Sequence, residues 1–266
     1  MMPFYLVVKP LPCLNVLFLI LLLAEGITFA PIQAAEWSTI QKRDFLKIGV
    51  KDNTRPMGFR DSQGRLQGLE IDLANQLALA LLGSEAKVQL EPVKNQDRLN
   101  VLLADHVDLV IARLTITPGR SRLVDFSDYY YLDGTGLITL QPNLKQLADF
   151  QNQAIGVINP SDTIAVIRSQ LPQARLVGVN SYEEGLDLLQ QGKIQAFAAD
   201  NSLLTGLAQE DSRYHHLPFF LSGTTLAIAM PRGLAYQELR EKVNEAVRRW
   251  RTNGWLRERV RYWGLP

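Results

Sequence analysis

Apolar residues along this chain recur with two different periods. Leu69, Leu73, Leu77 and Leu81 repeat every four residues, with Ile71, Ala74 and Ala78 beside them, which predicts an amphipathic helix over 69–82 ended by Gly83. A second helical face, Leu239, Val243, Ala246 and Trp250, predicts a long helix over 234–252, broken at Asn253-Gly254 and followed by a last helix over 255–263. Short apolar runs bounded by polar or glycine residues predict strands at 45–50, 87–90, 108–112, 134–140, 154–158, 175–179, 194–199 and 225–230. Between them lie predicted helices at 95–104, 143–150, 181–191 and 201–209, and a helix that begins near Thr163. Residues 36–43 form a polar or helical lead-in, 58–68 a hairpin-like turn at Gly64 and Gly68, and 212–223 an irregular connection. Up to Ala112 the order is strand, helix, strand, helix, strand. That alternation predicts parallel α/β packing with right-handed crossovers.

Several polar residues take a place in this pattern before any chemistry is invoked. Glu70 and Asp72 stand two apart in the first turn of the 69–82 helix and cannot face one another, so they suit the helix N-terminus and do not make a catalytic pair. Ser181 and Glu184 have capping-box spacing. Ser161, Asp162 and Thr163 are each able to cap the helix that starts there, and the same N-terminus suits an anion. Asp200 ends a strand and has two readings: it caps the 201–209 helix, or it accepts hydrogen bonds from a ligand ammonium.

The 266 residues are 47% apolar and carry a formal charge of +1, enough for one large domain or two lobes and without the excess that a polyanion partner needs. The N-terminus has the layout of an export signal: Lys9, an apolar run over 11–24, and small residues at Ala30, Ala34 and Ala35. Cleavage near Ala35 is expected, with an uncleaved anchor as the alternative. It would leave a chain without its single cysteine, Cys13, and with 27 basic against 26 acidic residues. No metal site or cofactor is expected, because His106, His215 and His216 make no ligand-spaced cluster, and the paired histidines read as a surface loop. The six arginines between Arg248 and Arg261 alternate with Trp250, Trp255 and Trp263, a nucleic-acid pattern on its face. The competing reading is a helix pair with its aromatic residues turned inward.

The densest polar cluster lies in ARLTITPGRSRLVDFSDYY, residues 112–130. Thr115, Thr117 and Arg120 fall just past a strand's carboxyl end, where open α/β sheets bind ligands. A guanidinium there suits a carboxylate. Lys51 and Arg113 add two cations whose direction the pattern leaves open, toward a ligand anion or toward Asp52 and Asp97.

This stretch resembles the threonine- and arginine-bearing segment of the bacterial extracellular solute-binding proteins, the polar amino-acid-binding type of ABC transporters. GFRDSQGRLQGLEIDLANQLA (58–78), DRLNVLLADHVDLVIA (97–112), GKIQAFAAD (192–200) and NEAVRRWRTNGWLRERVRYWGL (244–265) match in the same order. The resemblance implies a two-lobed type II periplasmic-binding-protein fold with two hinge strands. It implies one lobe from 37–138 and 226–266 and another from 139–225. By that resemblance Thr115 and Arg120 hold a ligand carboxylate, the Ser161-Asp162 turn contributes to it, and Asp200 holds the α-amino group. It further implies a monomer without enzymatic activity, exported to the periplasm, which passes an amino acid to a membrane permease. The alternatives are an exported dehydratase of prephenate-like acids on the same fold and a ligand-sensing module. Thr54 and Met57 stand where the family often has an aromatic residue, and Arg113 where it often has a small one, which favours an acidic or polar ligand.

Overall fold

The computed structural model describes residues 36–266, so the expected export signal at 1–35 lies outside the described residues. The first elements are α1 (Trp37–Arg43), β1 (Leu46–Val50), β2 (Asn53–Thr54), β3 (Gly58–Arg60), β4 (Leu66–Gln67), α2 (Leu69–Leu82), β5 (Val88–Pro92), α3 (Arg98–Leu103) and β6 (Leu109–Ile111). Then come β7 (Val124–Asp133), β8 (Thr135–Thr139), β9 (Ala154–Ile158), α4 (Thr163–Gln170), β10 (Arg175–Val179), α5 (Tyr182–Gln190), β11 (Ala196–Asp200) and α6 (Asn201–Glu210). The chain ends with β12 (His215–His216), β13 (Thr224–Pro231), α7 (Gln237–Thr252) and α8 (Trp255–Tyr262).

Two five-stranded sheets organise these elements, in the orders β5-β1-β6-β13-β7 and β10-β9-β11-β8-β12. In each, three neighbouring strands run parallel, as the strand–helix alternation predicts. The remaining pairings are antiparallel, which that alternation does not reveal. The chain leaves the first sheet at Asp133 and returns along β13, so the sheets are joined at two places. β8 is bonded into the second sheet, so residues 135–138 lie there and not with the first lobe to which the resemblance assigns them.

The α2 pattern is realised in full. Leu69, Leu73, Leu77, Ala74 and Ala78 are all 0% exposed, in one core with Leu239, Val243, Ala246 and Trp250 of α7. Gly83 closes α2 in a left-handed conformation. At its other end Gly68, at φ 127°, lies where a Cβ would come within 2.3 Å of the Met57 carbonyl, so only glycine fits. Trp250 is buried and tilted against Trp255 at 5.3 Å, while the Trp263 indole donates to Asp72 at 2.8 Å. The tryptophans are thus packed inward.

Several local expectations are corrected. The helix predicted over 143–150 is a 3-10 turn, Leu147–Phe150, and α7 starts only at Gln237 after a separate 3-10 turn, Leu234–Tyr236. Ser181 accepts from the Glu184 N–H at 3.1 Å, but the Glu184 carboxylate goes to the Asn180 N–H at 2.7 Å, one residue before the capping-box position. His215 and His216 form an edge strand, not a free loop; His216 is half-buried, with Nε2 at 2.7 Å from Asn201 Oδ1. Both carboxylates do stand in the first turn of α2, but their hydrogen bonds go elsewhere than to its free N–H groups. Asp72 holds Trp263, and Glu70 turns into the interior.

Truncating Leu77 to alanine should cost about 2–5 kcal/mol, read as a lower urea midpoint without a changed slope. Burial lowers the pKa of His216 below its usual 6.5. A depressed folded-state pKa means stability present above the unfolded value and lost as pH falls. Replacement by glutamine should therefore flatten the loss of Tm between about pH 8 and about pH 5.

Candidate functional site

The loop after β6 folds onto itself. Arg120 Nη1 donates to the Thr115 carbonyl at 2.9 Å and to its hydroxyl, and Thr117 Oγ1 accepts from the Arg120 N–H at 3.3 Å. Thr115 also forms a bridge to Leu226, so the loop is pinned to β13. Arg120 and Thr115, the expected carboxylate pair, are thus brought together.

Arg113 is positioned from behind by a buried network. Its N–H donates to Glu70 Oε1 at 2.6 Å, and the same oxygen accepts from the Tyr130 hydroxyl at 2.5 Å. Arg98 Nη1 donates to the Ala112 and Arg113 carbonyls, each at 2.8 Å. These contacts hold Arg113 at φ 49°, a left-handed conformation that costs a non-glycine residue about 1 kcal/mol. Its side chain, 12% exposed, extends away from lobe 1 to Asp200 Oδ2 at 2.5 Å, with Asp133 Oδ2 at 3.8 Å. Burial works against the Arg113 charge, but Asp200 and Asp133 outweigh it and raise its pKa. Glu70 is 0% exposed; burial raises its carboxyl pKa against the opposing hydrogen bonds from Tyr130 and the Arg113 N–H.

Arg98 was not among the site residues expected from sequence. A cation in the first turn of a helix opposes the dipole, and that was the available signal. Burial, then repulsion from Arg120 and Arg113, lowers its pKa. Arg98 and Arg120 take part in none of the ion pairs found among the described residues. Lys51 is 4% exposed and donates Nζ to the Val93 carbonyl at 3.0 Å, a bond inside lobe 1. Its pKa is lowered by burial and then by Arg98. Asp52, one of the open alternatives for these cations, pairs instead with Arg60 at 3.2 Å.

On the second lobe, Asp200 starts α6, yet its side chain makes no capping bond. The cap comes from the crossing strand. Asp133 Oδ1 accepts from the Ser202 N–H at 3.1 Å and the Gly134 N–H at 2.9 Å, and Oδ2 from the Ser202 hydroxyl at 2.5 Å. This leaves the Asp200 carboxylate for Arg113. Asp162 starts α4 without a side-chain cap and is exposed, which corrects its expected capping role. Ser161 Oγ is buried and makes no hydrogen bond. No cluster of His, Cys, Asp and Glu among the described residues has metal-site geometry.

The lobes also touch beside this corner. Arg55 reaches Glu210 of α6 at 3.7 Å, and Gln209 Nε2 donates to the Trp263 carbonyl at 2.8 Å. A Cβ at Gly206 would lie 2.1 Å from the Arg55 carbonyl, so the absence of a side chain there permits the approach.

Two sheet-containing lobes, joined by two crossings and facing one another across a guanidinium–carboxylate corner, define a type II periplasmic binding protein. The chain belongs to the bacterial extracellular solute-binding proteins, family 3, whose model matches residues 46–266. It is similar to the ABC transporter glutamine-binding protein GlnH of Bacillus subtilis, 28% identical over 229 residues that cover 85% of this chain and 83% of that one. It is 32% identical to the glutamine-binding protein of Geobacillus stearothermophilus over 181 residues, 67% of this chain and 69% of the other. Among solved structures, the solute receptor for L-cysteine of Neisseria gonorrhoeae superposes with a TM-score of 0.66 at 27% identity, covering 85% and 92% of the two chains.

Substituting Gly206 by valine should keep the lobes from this approach. The expected outcome is an unchanged circular dichroism spectrum with a larger radius of gyration in solution scattering; an unchanged radius would show that the contact does not set the separation.

Proposed function

We propose that this chain is an extracytoplasmic receptor for a small acidic solute, an acidic amino acid or a related carboxylate, which it hands to the permease of an ABC transporter. The name of the Bacillus subtilis relative supports the transport role, and the three names differ in the ligand: glutamine in two cases and cysteine in the third. The shared frame therefore does not select the ligand, and the residues of this cleft must. The observation that carries the acidic reading is the set of guanidiniums on lobe 1. Arg98 donates to the carbonyls of Ala112 and Arg113, Arg120 donates to Thr115 in the loop that follows, and neither Arg98 nor Arg120 has a carboxylate partner among the described residues. Guanidiniums brought this close repel one another, and a bound carboxylate offsets that repulsion. Thr115 adds a hydroxyl beside Arg120.

A ligand that bridges Arg120 on one lobe and the α4 or α6 end of the other stabilises the approach of the lobes by its differential affinity for that arrangement. A thermal-shift panel of amino acids and dicarboxylates tests the reading. The acidic members should raise Tm most, a stabilisation of about 2.7 kcal/mol at 100 times Kd. Arg120→Ala should weaken binding by about 2–5 kcal/mol in calorimetry. A response confined to neutral or cationic amino acids would refute the acidic assignment.

A further inference from the structure

Among the described residues, three acids surround the Arg113 guanidinium or its backbone: Glu70, Asp133 and Asp200. Two are internal. Glu70 is 0% exposed and accepts from the Arg113 N–H and the Tyr130 hydroxyl. Asp133 is 1% exposed, and both of its oxygens serve Gly134 and Ser202 at the start of α6. Asp200, with 51% of its side chain exposed, is the acid a solute can reach. Its Oδ2 already accepts from Arg113 Nη2 at 2.5 Å.

We propose that Arg113 fills, at Asp200, the place that a ligand's α-ammonium would need, so that the cleft recognises small dicarboxylates without requiring an amine. This rests on the acidic-solute reading above and narrows it. An ammonium approaching Asp200 must either displace Arg113, leaving a largely buried guanidinium without its partner, or sit against a like charge. A carboxylate meets neither obstacle. Arg113 Nε is buried and makes no hydrogen bond, a donor left over for such a group. Arg98, bonded to the carbonyls of Ala112 and Arg113, and Arg120, bonded to Thr115, supply the second anion-binding element on the same lobe. The backbone supports the assignment independently. Residue 113 sits at φ 49°, a conformation that glycine adopts without cost and arginine does not. The backbone at this position thus works against an arginine, and the side chain it carries pairs with Asp200.

The same geometry supplies a clean variant, because Arg113→Gly removes the guanidinium and suits the local backbone. Calorimetry on the purified chain would compare glutarate with glutamate and succinate with aspartate, for the unsubstituted protein and Arg113→Gly, with circular dichroism confirming each fold. The unsubstituted protein should bind each diacid as tightly as its amino acid, within about threefold, or tighter. Arg113→Gly should shift the ratio by about tenfold or more toward the amine-bearing ligand. A preference for glutamate or aspartate of about tenfold or more in the unsubstituted protein, unmoved by Arg113→Gly, would overturn the inference while leaving the acidic-solute reading in place. Failure of all four acids to bind would overturn both.

Discussion

One buried carboxylate, that of Glu70, holds the peptide on which the cleft chemistry is built. It accepts the Arg113 N–H, while Arg98 grips the carbonyls on either side of that N–H and Tyr130 fixes the carboxylate in turn. Without this set of bonds nothing in the local sequence would keep an arginine in a left-handed conformation. A strand running straight on from Ile111 would send the side chain elsewhere. The cleft therefore inherits its geometry from the start of α2, a helix whose outward business is core packing. Glu70 pays for this with a desolvated carboxyl, and such groups are tolerated when every neighbour is arranged around them.

A second constraint comes from the crossing between the sheets. Asp133 closes β7 and at the same time caps α6, so the end of one lobe's strand is bonded to the start of the other lobe's helix. The helix is thereby referenced to the crossing and not to its own first residue. Asp200, relieved of capping, projects its charge toward lobe 1. The loop carrying Arg120 is fixed in the same manner, by its bridge to β13, the returning strand. Both halves of the cleft are thus registered to the paired strands that join the lobes.

The helices and parallel strands were legible from sequence because their signal is local. Leu69 through Leu81 announce α2 by spacing alone, and Ala154–Ile158 announces β9 by its apolar run. β7 carries no period-two signal, since its buried positions do not alternate. Register shifts against β13 at Leu226, Ala227 and Ala229 break the period of two. At the site, Arg120 with Thr115 could be found because they lie five residues apart in one loop. The pairing of Arg113 with Asp200 spans 87 residues and depends on an interior carboxylate, so neighbouring residues carry no trace of it. The sequence leaves Asp200 two open roles, and one of them, the cap of α6, is taken by Asp133 from 67 residues upstream in the chain, outside the reach of any local pattern.

The C-terminal tail has a consequence of another kind. All four tryptophans belong to elements packed with the first lobe, and Trp263 alone hands its carbonyl to Gln209 of the second, while its indole rests between Asp72 and the edge of Phe59. A change in lobe separation pulls directly on the residue that carries this fluorophore. The molecule thus contains its own optical gauge of domain motion, readable in the ultraviolet without an attached dye.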